Sequence, residues 1–84
     1  MSPDYLDVLT ALDRGAILVN EEDGPKLMAR SGHDAPVLRY IEKHVLEGLQ
    51  EARLVVAHGR HYLGKVVYRM TPKAHLELEE AYWQ

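Results

Sequence analysis

The chain has no cysteine. Disulfide staples, thiolate zinc sites and thiol redox chemistry are therefore excluded. No apolar run approaches the ~20 residues that a membrane-spanning helix needs, and Met1 to Leu9 lacks the basic stretch of a secretory signal. These absences predict a cytoplasmic chain that does not enter a membrane. Internal repeats, low-complexity segments and linker-like stretches are missing too, so residues 1–84 are expected to form a single domain. There is no glycine-rich phosphate loop. The carboxylates gather in acidic runs, Glu21-Glu22-Asp23 and Glu77, Glu79 and Glu80, which read as solvated turn and helix faces. Ser2, Thr10, Ser31 and Thr71 read as caps and turn residues. No catalytic constellation emerges, and the expectation is a protein that is not an enzyme and carries no cofactor.

What is present is the composition of a folded globule. Hydrophobic residues make up 46% and charged residues 27%, which argues against disorder. The net charge of −3 conceals an uneven distribution. Residues 1–23 carry six acids and one arginine, giving −5, whereas residues 24–73 carry nine lysines and arginines against four acids, giving +5. Residues 74–84 return to −3. Four of the five histidines also fall in the cationic middle. A polyanion senses the local field at a contact surface rather than the total charge.

Cap and periodicity signals give an order of elements. Ser2-Pro3 opens a helix whose apolar stripe is Tyr5, Val8, Leu9, Leu12 and Ala16, with Gly15 as its stop. Ile17-Leu18-Val19 reads as a short strand, followed by an acidic turn over 20–24. Pro25 opens a short second helix through Arg30, broken by Ser31-Gly32-His33. Asp34 caps a third helix, 34–52, with Leu38, Ile41, Val45, Leu49 and Ala52 along one face and Arg39, Tyr40, Lys43, Glu47 and Gln50 along the other. Gly48 weakens that helix by about 1 kcal/mol relative to Ala. Leu54–Ala57 and Val66–Met70 read as strands flanking a hairpin loop over His58–Lys65. Thr71-Pro72 repeats the cap-plus-proline signal and opens a last helix.

Two stretches carry a resemblance. Val67-Tyr68-Arg69-Met70-Thr71-Pro72-Lys73-Ala74 is similar to the segment that closes the wing in MarR-like and PadR-like regulators. In those proteins a Tyr-Arg-Leu-Thr-Pro-Lys-Gly pattern runs from the last strand into the next helix. Leu46 to Val56, with Glu51-Ala52-Arg53-Leu54-Val55, resembles the end of their recognition helix and the first wing strand. The similarity spans roughly Pro25 to Ala81; Ala74 stands where those regulators carry Gly, and their long dimer helices are missing or reduced. The resemblance implies an α+β winged helix-turn-helix: a three-helix core, a β-hairpin wing and a C-terminal helix.

That fold implies a small transcriptional regulator that binds double-stranded DNA. Helix 34–52 would enter the major groove with His33, Arg39, Tyr40 and Lys43, with His44 next along it, while Asp34 serves only as a cap. The wing would bring Arg60, His61 and Lys65 to phosphates or the adjacent minor groove. Lys26 and Arg30 on the second helix would touch the backbone. A homodimer through the first and last helices is expected, with Tyr82 and Trp83 either at that interface or folded onto the domain's own core. The alternative is a winged-helix protein–protein interaction module, or a phage-type adaptor, without DNA binding. The same cations then form ordinary solvated faces. His58 and His61 stand three apart in a loop, but no third ligand is spaced for a metal, and no metal is expected.

Overall fold

In the computed structural model, which describes residues 1–32, 34–62 and 64–83 (the side chains of 60–62 excepted), the chain begins with α1, Pro3–Asp13. Ser2 caps this helix as its sequence demands: the Tyr5 N–H donates to Ser2 Oγ at 3.3 Å. Gly15, at φ 104°, turns the chain into β1, Ile17–Glu21. A tight turn through Glu22 and Asp23, closed by Gly24 at φ 106°, leads directly into β2, Gly24–Met28. After a connection over 29–36 come β3, Val37–Tyr40, and α2, Lys43–Glu51. The hairpin β4, Val55–Tyr62, and β5, Lys65–Met70, follows, and α3, Pro72–Tyr82, closes the order. The sheet runs β3-β2-β1-β5-β4, with every neighbouring pair antiparallel.

The winged helix-turn-helix expectation is overturned. The molecule is α+β, but it is built from a five-stranded antiparallel sheet and three helices, not a three-helix core with a hairpin wing. Two segments carry the correction. Residues 25–30 do not form a helix: Pro25 sits opposite Asn20 in the β1–β2 ladder and uses its carbonyl to accept from the Ile41 N–H at 2.9 Å. A missing N–H suits the start of a strand as well as the start of a helix. Nor does a helix begin at Asp34. The chain is extended through Tyr40, and α2 begins at Lys43. The stripe expected of helix 34–52 is real only from Ile41 onward. Ile41, Val45 and Leu49 are buried, whereas Leu38 is 56% exposed. Pairing along β2 gives residues 37–40 ladder bonds that a lone helical turn, with its costly nucleus, cannot match.

One row of residues crosses all five strands on the helix side: Arg39, Leu27, Leu18, Tyr68 and Ala57. The neighbouring row, Tyr40, Lys26, Val19, Val67 and His58, lies on the opposite face, because side chains alternate along a strand. The main core forms on the helix side, where Leu18 and Leu27 meet Val8 and Leu9 of α1, Leu46 and Leu49 of α2, and Leu78 of α3. A smaller cluster on the far face joins Val19 and Met28 to Ala35 from the 29–36 connection. Val19 is fully buried there.

The end of α2 is closed by a left-handed residue. Arg53 has φ 61°, the Leu54 N–H donates to Leu49 O at 2.9 Å, and the Arg53 N–H donates to Gln50 O at 3.0 Å. These bonds make a Schellman cap, with buried Leu54 beyond it. Two carbonyls there are held by the start of α3: Thr71 Oγ1 donates to Arg53 O at 2.6 Å, and Lys73 Nζ donates to Ala52 O at 2.8 Å. Thr71 also caps α3, accepting from the Ala74 N–H at 3.2 Å. Thr71-Pro72-Lys73 therefore clamps two helix ends together.

Candidate functional site

The cations singled out in the sequence do not gather on one helix. Lys26 and Tyr40 lie across the sheet from Arg39, on opposite faces, and Lys43 is the exposed first residue of α2. Arg30 is exposed in the 29–36 connection, and Lys65 begins β5 in the other half of the sheet. His33 lies outside the described residues, as do the side chains of Arg60 and His61. The hairpin expected around 58–65 exists, with its strands running further than predicted: Tyr62 pairs with Lys65.

Several of these groups already have partners. Lys26 lies beneath the β1–β2 turn, with its Nζ 2.7 Å from Glu21 and 3.2 Å from Asp23. It stands 5.8 Å over the Tyr40 ring, and the Tyr40 hydroxyl donates to Asp23 at 3.3 Å. Arg39 faces Asp7 of α1 at 3.8 Å. The anionic first segment thus answers two of the cations, and Tyr40 is held in the same cluster.

The Lys26 cluster is sensitive to pH in a defined direction. The hydrogen bond it accepts from Lys26 holds the Asp23 carboxyl below the ordinary value of 3.8, and the bonds Lys26 donates to Glu21 and Asp23 hold its ammonium above 10.5. The stabilisation from Asp23 is complete above 3.8 and is lost as pH falls through the lower folded value. That from Lys26 is complete below 10.5 and is lost as pH rises through the higher folded value. Replacing Lys26 with Met is expected to return the Asp23 midpoint toward 3.8, read by NMR titration of its carboxyl carbon. An unmoved midpoint would show that the ion pair is not formed in solution.

The feature the sequence reading missed is the edge formed by β3, which with β4 is one of the two outer strands of the sheet. All four residues of β3 are exposed, among them Val37 at 39%, Leu38 at 56% and Tyr40 at 59%. Pro25 and Ile41 form a hydrogen-bonded pair, and such pairs alternate with non-bonded ones along an antiparallel ladder. Tyr40, opposite Lys26, therefore directs its own N–H and C=O away from β2, to the open edge. Leu38 falls where the register shifts, a bulge that turns it toward α1. Between α1 and β3 runs a cleft of about 490 Å³. Its sides are Asp7 and Thr10 on α1, Arg14 at the cap just past it, and Leu38 and Arg39 on the strand, and alanines 11, 16 and 29 leave the space open. The Asp23-Gly24 pair, a strong hairpin signal, is the feature from which β2 and its neighbouring edge were readable.

At the end of α3, Tyr82 is 59% and Trp83 85% exposed, so neither folds onto the core. No helix among the described residues is long and apolar enough to cross a membrane, and among the same residues no three His, Cys, Asp or Glu side chains come together as metal ligands. No protein-family model matches the chain, and neither a curated protein nor a solved structure matches it.

Proposed function

We propose that this chain is a protein-interaction module that takes an extended segment of a partner protein onto β3. The single observation carrying this reading is the outward-facing backbone of Tyr40 on a strand whose side chains are all exposed. β3 is short and carries Arg39 and a bulge, devices that limit indiscriminate pairing, but its outward backbone groups remain a template for a segment that fits them. In strand addition, main-chain bonds supply affinity and adjacent pockets read alternate side chains. The cleft beside β3 lies where such a pocket is required.

Random peptides about ten residues long, displayed on phage and panned against the whole chain, provide ligands for a direct test. Tyr40→Pro removes the outward N–H and is expected to weaken selected peptides by about tenfold or more, the equivalent of losing a desolvated backbone bond. Tyr40→Ala, which loses the side chain alone, should stay within about threefold of the parent. Peptides that bind Tyr40→Pro as tightly as the parent would remove β3 from the reading.

DNA binding is the second reading, and one observation favours it. Lys65 and Arg69 stand on the same face of β5, four residues apart, and neither makes an ion pair among the described residues. A two-stranded ribbon fits the major groove. Titration with random duplex DNA at low and moderate salt separates the readings. Loss of affinity with a slope near −0.9 per neutralised phosphate, reduced in Lys65→Ala/Arg69→Ala, favours DNA. A flat response retires it.

A further inference from the structure

Resting on the strand-addition reading, we propose that the segment docked on β3 carries a carboxylate side chain, and that Arg14 and Arg39 hold it across the cleft. Asp7, Thr10 and Ala11 stand on one face of α1, Arg14 follows as the residue that caps its end, and all four line the cleft opposite β3. Arg39 comes to the same cleft from the strand, on the helix side of the sheet. Two guanidinium groups thus share the cleft with one carboxylate. Arg14 is exposed and has no ion pair among the described residues. Arg39 reaches Asp7 only at 3.8 Å, with the two side chains 48% and 62% exposed. An ion pair that long and that wet is worth little and exchanges easily.

The cleft therefore has room for one more negative charge, and guanidinium is the cation best shaped to take a carboxylate with two parallel donors. Below the arginines the surface is apolar: Leu27 is 1% exposed, with alanines around it. An acidic side chain whose neighbours two positions away are apolar matches both levels, because residues two apart in a strand share a face.

A second copy of the chain fits less well. Pairing β3 with itself sets two identical edges against each other. Such a pairing also brings Arg14 and Arg39 of both copies toward one seam with only two Asp7 carboxylates to meet them.

The test uses the peptides selected on the whole chain. The expected result is that they carry Asp or Glu at a fixed position. Changing that residue to Asn or Gln is then expected to weaken binding by about tenfold, and by less than about twofold on Arg14→Gln/Arg39→Gln. Asp7→Asn removes the competing carboxylate and is expected to tighten the acidic peptide by about threefold, a gain that a damaged fold would not give. Peptides without acidic preference that Tyr40→Pro still blocks would overturn the carboxylate and leave strand addition standing. Peptides indifferent to Tyr40→Pro, or no selected peptides at all, would overturn both.

Discussion

Replacing Gly48 with Ala is expected to destabilise the fold by about 1–3 kcal/mol, although Ala is the better helix former by about 1 kcal/mol. The cause lies in the crossing of α1 and α2. A methyl group on Gly48 would overlap the Tyr5 hydroxyl and come within 2.7 Å of Tyr5 Cζ, so the ring itself has to leave its place. Tyr5 packs on the main core, and displacing it removes contacts as well as adding strain. A double-mutant cycle isolates the effect. In a Tyr5→Ala background the same Gly48→Ala change is expected to be neutral or stabilising, as helix propensity alone dictates. Urea unfolding of the four proteins reads the result; a stabilised single Gly48→Ala variant would show that Tyr5 does not occupy this position.

Val19→Asp is expected to cost more than about 3 kcal/mol, since it buries a carboxylate without a partner cation on its own row closer than Lys26, which is already committed to two acids. For a chain of this size the whole stability is about 4–13 kcal/mol, so the loss removes from about a quarter to about three quarters of it. Val56→Asp is the control. Val56 is 54% exposed on the same side of the sheet, opposite Arg69, and its substitution is expected to change stability by no more than about 0.5 kcal/mol. Equal tolerance at the two positions would mean that the 29–36 connection does not cover the far face.

These two predictions also mark where sequence reading succeeded and where it stopped. Signals confined to one turn of chain were legible. Ser2-Pro3 and Thr71-Pro72 start α1 and α3, Gly15 ends the first helix, and the β-branched runs at 17–19 and 66–70 are strands. Proline and apolar spacing misled where two structures satisfy them equally. Pro25 suits a helix start and a strand start, and Leu38, Ile41 and Val45 suit a helix until β2 recruits Leu38 into an edge. Gly48 looked like a weak point in a helix because its neighbour Tyr5 is 43 positions away in sequence. The candidate site was partly legible: Arg39 and Tyr40 were named, but for a helix face. Their true places on opposite sides of an edge strand depend on pairing that no local pattern encodes. Arg14 drew no notice, because only the approach of α1 to β3 gives it a role.

The sheet is two locally connected ribbons, β1–β2–β3 and β4–β5, sewn together along one line. That line is three residue pairs long, Leu18 with Tyr68, Val19 with Val67 and Asn20 with Val66, and joins positions about fifty residues apart. The ribbons close short loops and can form within microseconds, whereas the seam must overcome the entropy of a much longer closure before either ribbon gains a shared core. Meeting of the two ribbons is thus the natural rate-limiting event in folding, and until it occurs β1 presents a second free flank for mispairing during synthesis.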